Sequence, residues 1–529
     1  MSHNKIVRVR FAPSPTGSGI HVGGLRTALY NYLFAKKHGG EFILRLEDTD
    51  TARTVPGSAN YIVNALKWLG IVPDNGYGFS EDSWNYQQSV RKEKGVYQIY
   101  VQKLIDSGHA YYAFDTHEEL DVMRKKFGDG SENVKLSDGT VMPTGYSWAT
   151  RIEMQNSLVL PDDIVKQRIA DGVPYVIRFR NHGGNNTLKF NDMIRGEVEF
   201  NTSLLDDKVL VKSDGMPTYH LANVVDDMLM EITHVIRGEE WLPSTAIHIM
   251  LYQSFGVTPP IFAHLPLVLK RAPHKGKLSK RDGAKLGITI FPFNCTDPDT
   301  GKVCAGYMEQ GYYPEAIINM MALLGWNPGG GSEKEIFSMD ELIEAFDLEN
   351  VHKAGARYNP DKTKWFNQQH LRLRSDEQLA KDLPMLFNRS LPSIDNLIKI
   401  VKMVRHKVSF AYEIYDKAKY LMVRPESYNL EILQKNLTPE MLVLISVIDE
   451  TFQSMSELNE TNIETTINHL SEKHHQNSGT VKQTLMVMLY GDKSGPGLYS
   501  IIEFLGAADF KTRIMIAYEY YKTHSLVSE

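Results

Sequence analysis

The sequence predicts an α/β fold in which a parallel sheet is split by a polar, partly β insertion and followed by a long all-α region. Three observations carry that reading. The chain opens as strand, glycine-containing turn, helix and strand. The same alternation returns after about residue 205, and beyond about Ser375 strand signals are scarce.

Taken in order, residues 6–12 alternate apolar and polar side chains. Residues 23–38 carry Leu25, Ala28, Leu29, Tyr32 and Leu33 at helical spacing, and residues 41–46 are again largely apolar. Residues 60–69 read as a second helix, with Gly70 placed to end it. In such sheets the first strand-to-helix turn is where phosphates bind. After about Gly108 the rhythm changes. A capping box, Thr116-His117-Glu118-Glu119, opens a charged helix. Short strands at 175–180, 187–190 and 197–201 then surround a turn at 182–186. Strands at 208–212 and 232–237, with a helix at 244–255, restore the α/β pattern. Segments 395–422, 439–455, 461–474 and 480–490 each show helical periodicity.

At 529 residues the chain exceeds what one core supports, so three or four domains are expected. Its 42% hydrophobic and 23% charged content fits a soluble globular protein. Two cysteines, Cys295 and Cys304, supply neither a disulfide framework nor a four-cysteine metal site, which points to a reducing cytosol. No targeting segment and no membrane-spanning run is recognisable. The net charge of −6 is silent on nucleic acid, because a local basic face is enough to hold a phosphate backbone.

Two motifs carry chemistry. In the first, Ala12-Pro13-Ser14-Pro15-Thr16-Gly17 leads to His21-Val22-Gly23-Gly24. The prolines stiffen the turn and the glycines admit a close ligand. The following helix aims its free amides at the same spot, while Thr16 and His21 offer hydrogen bonds to phosphate oxygens. The second motif is Lys277-Leu278-Ser279-Lys280-Arg281, within a basic stretch that begins at Lys270-Arg271. Lysines are mobile point charges suited to neutralising charge that grows on a phosphate during displacement. A lysine-rich loop alone is usually solvated surface. This one gains weight because it follows the second half of the sheet that carries the first motif. Together they form one split nucleotide site, the mark of an ATP-using enzyme.

The pair resembles the HIGH and KMSKS signatures of class I aminoacyl-tRNA synthetases. Residues 10–17, Arg45-Leu46-Glu47-Asp48-Thr49-Asp50, the run from Pro217 to Asp227, and Val235-Ile236-Arg237-Gly238-Glu239-Glu240-Trp241 are similar to bacterial-type glutamyl-tRNA synthetase. The similarity runs through nearly the whole chain and is strongest over residues 6–370.

The resemblance implies a Rossmann-like catalytic domain in two halves, 1–110 and 205–265, split by an α+β acceptor-binding insertion at 111–204. A stem-contact region at 266–374 would carry the lysine loop, and an all-α anticodon-binding domain would occupy 375–529. It also implies that ATP and L-glutamate give glutamyl-adenylate, and that the glutamyl group passes to tRNA(Glu). By position, His21, Lys277 and Lys280 would serve catalysis. Thr16, His21, Gly23, Gly24 and residues 277–281 (Lys277, Leu278, Ser279, Lys280, Arg281) would hold ATP, with Mg²⁺ accompanying it. Arg10, Ala12, Ser14, Glu47, Tyr219, Asn223 and Arg237 would hold glutamate, because arginine pairs a carboxylate bidentately. In that scheme Glu47 receives the substrate's ammonium group. Arg405 and Lys407, in a basic segment followed by Phe410, Tyr412 and Tyr415, are the candidate tRNA contacts. A cytoplasmic monomer is expected.

Alternatives stay open for single residues. Arg10 also reads as a strand-end surface charge, Asn223 as a helix cap, and residues 47–50 as a divalent-metal string. The second histidine of HIGH is absent here. The stretch Tyr111-Tyr112-Ala113-Phe114-Asp115 lacks the cysteines of a zinc knuckle, so no zinc is expected there. The Cys295–Cys304 segment reads as an insertion whose two cysteines sit on neighbouring strands of a hairpin. Glutaminyl-tRNA synthetase shares much of the catalytic text but uses β-barrels for the anticodon, against the helical reading of 375–529. A catalytically dead RNA-binding relative would be expected to lose His21 or the lysines.

Overall fold

The structure is a computed structural model that describes residues 6–17, 19–50, 53–129, 134–135, 141–183, 187–296, 300–386, 392–493 and 495–525. The end of the turn expected at 182–186 and the middle of the Cys295–Cys304 segment lie outside the described residues. The chain forms two compact units: Met1–Gln310 with Pro314–Thr363, and Gly311–Tyr313 with Lys364–Glu529.

The first unit opens with β1 (Arg8–Phe11), α1 (Val22–Lys37), β2 (Glu41–Leu44), α2 (Ser58–Trp68) and β3 (Asn75–Gly76), the three strands being parallel in the order β1-β2-β3. Helix α1 forms because Leu25, Ala28, Leu29 and Leu33 make one fully buried row, and Lys36 and Lys37 sit favourably at its C-terminal end. Then come α3 (Gln88–Glu93), α4 (Val96–Asp106), β4 (Ala110–Ala113), α5 (His117–Phe127), β5 (Val134–Lys135), β6 (Val141–Met142) and α6 (Asp162–Ala170). Helix α5 starts at the expected capping box, with the Thr116 hydroxyl accepting from Glu119 and the Glu119 carboxylate accepting from Thr116.

Next are β7 (Val176–Phe179), β8 (Thr187–Asp192), β9 (Gly196–Asn201), β10 (Val209–Val211), α7 (Tyr219–Leu229), β11 (His234–Gly238), α8 (Thr245–Ser254), β12 (Ile261–Leu265), β13 (Val268–Leu269) and α9 (Lys280–Leu286). Strands β11 and β12 are parallel, and the Thr233 amide donates to the Arg8 carbonyl at 2.9 Å. That bond joins β11 to β1, so the two halves of the sheet meet as the sequence predicts.

The strands between them are distributed differently from expectation. β8 and β9, read as part of the insertion, extend the parallel pair in the order β11-β12-β8-β9. β10, read as a return to that sheet, pairs antiparallel with β7 in the order β10-β7-β4. Periodicity identifies a strand, but its neighbour is set by long-range register.

The unit closes with β14 (Cys295–Thr296), β15 (Val303–Cys304), α10 (Pro314–Ala322), α11 (Met339–Ala345), β16 (Ala356–Arg357) and the start of α12 (Pro360–Leu373). Cys295 and Cys304 face one another in register, both buried, on the hairpin read from the sequence.

The second unit contains α13 (Asp376–Leu386), α14 (Ile394–Val404), α15 (Glu413–Met422), α16 (Leu430–Asn436), α17 (Pro439–Ser454), α18 (Glu460–Lys473), α19 (Ser478–Tyr490) and α20 (Leu498–Ser525). The single helix suggested over 395–422 is two helices. The first ends at Val404, and the Glu413 carboxylate accepts the amides of Ser409 and Phe410 at 2.6 and 3.2 Å in the turn that leads into the second. Helix α20, not singled out from the sequence, breaks at Gly506, whose φ of +71° no ordinary helical residue adopts. Among the described residues no helix is long and apolar enough to cross a membrane.

Candidate active site

A cavity of about 700 Å³ opens at the C-terminal ends of β1 and β11 in the first unit. It is lined by Arg10, Ala12, Ser14, Thr16, His21, Gly23, Gly24, Glu47, Tyr219, Asn223, Arg237, Lys277, Leu278 and Lys280. Both motifs and every predicted glutamate residue therefore meet in one place. Ser279 and Arg281 are used otherwise. The amide and hydroxyl of Ser279 donate to Asp282 at 2.7 and 2.6 Å to start α9, and Arg281 is exposed.

The first loop is built around His21. Its Nδ1 accepts the Gly23 amide at 2.8 Å, which makes it the N-cap of α1. Nδ1 thus holds a lone pair, and the ring proton sits on Nε2. Burial first, then Lys280 and Lys277, lower the His21 pKa to about 4. The ring is therefore a neutral donor at physiological pH. A Cβ on Gly23 would come within 2.7 Å of the His21 ring, so only glycine permits this cap. Gly19, at φ +130°, has the Tyr61 ring where a Cβ would stand, at 2.8 Å.

The lysine loop is anchored by its apolar member. Leu278 is buried and its amide donates to the Val268 carbonyl of β13 at 2.8 Å. The flanking lysines then project to opposite partners. Lys280 Nζ donates to the Thr16 carbonyl at 2.6 Å, and Lys277 Nζ lies 2.7 Å from Glu240 Oε1. Burial lowers the pKa of Lys280.

On the amino-acid side, Arg10 makes two bonds to Asp227, at 3.0 and 3.3 Å, both residues being buried. Arg45, fully buried, bridges Asp227 Oδ1 at 2.6 Å and Glu47 Oε1 at 3.0 Å. Asn223 Nδ2 also donates to Glu47 at 3.1 Å. Burial raises the Glu47 pKa, against the opposing pull of Arg45 and Arg10. Asp226 accepts from Arg91 and Gln88, each at 2.8 Å, and from Tyr97. Arg10, Arg45 and Arg91 are thus matched by Glu47, Asp226 and Asp227, so the cluster is close to neutral.

Arg237 is different. Its guanidinium donates to His264 Nε2 at 3.1 Å, Tyr219 Oη at 2.9 Å, His248 Nδ1 at 3.3 Å, Thr245 Oγ1 at 2.9 Å and the Trp241 carbonyl at 3.3 Å. None of the five is a carboxylate. A buried arginine ringed by neutral acceptors keeps its charge for an anion.

The open readings of single residues are decided by these contacts. Arg10 is a buried strand residue, not a surface charge. Asn223 lies inside α7 and not at its cap. Asp48 turns to Gln87 and Ser89, while Asp50 pairs with Arg53, so residues 47–50 do not converge on one point.

In the second unit, Arg405 is tied to Asp376 and to the carbonyls of Leu371, Arg372 and Arg374 at the end of α12. Lys407 is exposed and donates to the Gly495 carbonyl at 2.7 Å. Phe410 is buried and stacks on the partly exposed Tyr412. The sequence reading missed Arg45, Asp226, Asp227 and His264. The first three stood in quoted motif text, but nothing local marked them as one buried cluster.

Residues 6–365 match the family of tRNA synthetases class I (E and Q), catalytic domain, and residues 377–518 match an anticodon binding domain. The chain is 46% identical to the glutamate–tRNA ligase of Christiangramia forsetii, over 98% of this chain and 99% of that one. It is 47% identical to that of Flavobacterium psychrophilum, over 97% and 98%. The crystal structure of a glutamate tRNA ligase from Elizabethkingia meningosepticum in complex with its amino acid superposes with a TM-score of 0.87, at 46% identity, covering 97% of this chain and 99% of that one.

Proposed function

The chain belongs to the class I tRNA synthetases of the E and Q type, and from that premise we propose that it activates L-glutamate with ATP and transfers the glutamyl group to the 3′ end of tRNA(Glu). In the first step a glutamate carboxylate oxygen attacks the α-phosphorus, pyrophosphate leaves, and glutamyl-adenylate forms. In the second, a ribose hydroxyl of the terminal adenosine attacks the acyl carbon and AMP leaves.

The observation that carries this reading is the single cavity in which an uncompensated Arg237 and the loops of His21 and Lys280 face the same space. Arg237 takes the side-chain carboxylate. Glu47 takes the ammonium group, and Tyr219 and Asn223 hold these two partners in place. Ala12 and Ser14 wall the substrate from β1, and Arg10 adds donors from a guanidinium already held by Asp227. His21, through Nε2–H, together with Thr16 and the Gly23-Gly24 turn, holds the triphosphate. Lys277 and Lys280 neutralise charge that develops on it. Mg²⁺ travels with the nucleotide.

The helical second unit holds the anticodon arm, with Lys407 as a candidate backbone contact and Arg405 shaping the helix end beside it. The enzyme works as a cytoplasmic monomer. ATP–pyrophosphate exchange, with glutamate or glutamine and with or without tRNA(Glu), is the direct test. Exchange is expected with glutamate and not with glutamine, and to depend on added tRNA(Glu); equal exchange with glutamine rejects the assignment.

A further inference from the structure

Arg237, His264 and Asp192 lie side by side on three adjacent strands, β11, β12 and β8. Arg237 is the register partner of His264, and Asp192 pairs with Phe262 two positions before it. His264 and Asp192 are 0% and 1% exposed. His264 Nδ1 is 2.6 Å from Asp192 Oδ2, and His264 Nε2 is 3.1 Å from Arg237 Nε. A guanidinium only donates, so Nε2 must present a lone pair and the ring proton must sit on Nδ1, donated to Asp192.

We propose that Asp192 and His264 are specificity-determining positioning residues. The carboxylate fixes the imidazole as its neutral Nδ1–H tautomer, so that Arg237 is oriented without being neutralised and its charge is left for the side-chain carboxylate of the amino acid. This rests on the assignment of Arg237 to that carboxylate. Neither residue lines the cavity; both act through Arg237.

The contrast with Arg10 shows what the imidazole achieves. Asp227 bonds Arg10 directly and cancels its charge, whereas Asp192 is kept one ring away from Arg237. A second neutral histidine completes the arrangement. His248 Nδ1 accepts from Arg237, and its Nε2 faces His220 Nδ1 at 3.3 Å. Burial lowers the pKa of His264 and His248, which keeps both rings neutral acceptors.

The backbone dictates what a conservative change would do. Asp192 Oδ1 accepts the amides of Ile194, Arg195 and His264 at 3.0, 2.9 and 3.2 Å. In Asp192→Asn the amide oxygen must stay with those three donors, so its NH₂ faces Nδ1. The ring proton is then driven to Nε2, against Arg237 Nε–H.

The test combines kinetics with ¹⁵N NMR of histidine-labelled full-length protein, the His264 signals being assigned by their loss in His264→Gln. The wild type is expected to show the Nδ1–H tautomer and Asp192→Asn the Nε2–H tautomer. Asp192→Asn should raise the KM for glutamate about tenfold, because a misoriented Arg237 weakens the charge-assisted bonds that hold the side-chain carboxylate. The KM for ATP should stay within about twofold, because the nucleotide does not depend on Arg237. An Nε2–H or doubly protonated His264 in the wild type overturns the proposal, and needs no variant to fold. An Asp192→Asn protein with the flipped tautomer and an unchanged glutamate KM also overturns it. Arg237→Ala separates the two levels. If it raises the glutamate KM while Asp192→Asn does not, only the positioning role fails; if it has no effect, the carboxylate assignment fails as well.

Discussion

Lys280 Nζ donates to the carbonyl oxygen of Thr16 at 2.6 Å, linking two loops that lie 264 positions apart in the chain. A cation held by a neutral carbonyl is poised to exchange. Phosphate oxygens make stronger, charge-assisted bonds and arrive in the same space. The contact therefore sets the lysine loop against the triphosphate site without fixing its charge to a carboxylate.

Lys280→Ala is accordingly expected to slow glutamate-dependent pyrophosphate exchange by about 10²–10³-fold, the usual loss when one preorganised transition-state contact is removed. The glutamate KM should change little, since Lys280 lies on the nucleotide side. A variant that instead loses glutamate affinity at an unchanged maximal rate would place Lys280 in the wrong half of the site.

The pH dependence has a definite sign. His21, His220 and His234 are each lowered to about 4, chiefly by burial, against 6.5 in the unfolded chain. Between these values the unfolded state binds more protons than the folded one, so stability falls as pH falls from about 6.5 to about 4 and levels off below. Each proton contributes a slope of about 1.4 kcal/mol per pH unit in that window. Urea midpoints measured at pH 7.5, 6 and 5 should decrease in that order. Rising midpoints on acidification would show that these rings are charged in the fold.

Asp227→Ala is expected to destabilise the first unit by about 3–5 kcal/mol, because it strands the buried guanidinium of Arg10 and leaves that of Arg45 with Glu47 as its one close carboxylate. The readout is the chemical denaturation of the full chain followed by circular dichroism. A loss below about 1 kcal/mol would mean that water reaches the cluster.

How much of this was legible beforehand differs by element. The opening β1–α1–β2 unit, the capping box of α5 and, within the second unit, α17, α18 and α19 follow from local periodicity and capping chemistry. All these elements fall within one to three residues of expectation, whereas α13, α16 and α20 were not bounded from the sequence. The cavity was legible too, because its residues stand in the motifs. What failed to show was pairing at a distance. Nothing local tells β8 that it neighbours β12, or Arg45 that its partner is Asp227. The break between α14 and α15 falls at residues 405–412, where the Glu413 carboxylate takes the amides of Ser409 and Phe410, a contact that periodicity does not register. Arg405 read as a free cation because its partners, the carbonyls ending α12, lie about 30 positions upstream.

Glu240 offers a last, gentler test. Its carboxylate holds Lys277 Nζ at 2.7 Å, with the two side chains 39% and 46% exposed, so the pair itself is worth at most about 1 kcal/mol. Glu240→Gln keeps the length of the side chain, whose end folds back over Gly238. Stability should therefore hardly change. Lys277 loses its competing anion, and the nucleotide's phosphates become its best partner. The KM for ATP should fall by about two- to fivefold at low ionic strength, and the advantage should shrink as salt screens the exposed charges. A rise in that KM would mean that Glu240 positions Lys277 for the nucleotide instead of withholding it, because only a helpful contact makes binding worse when it is removed.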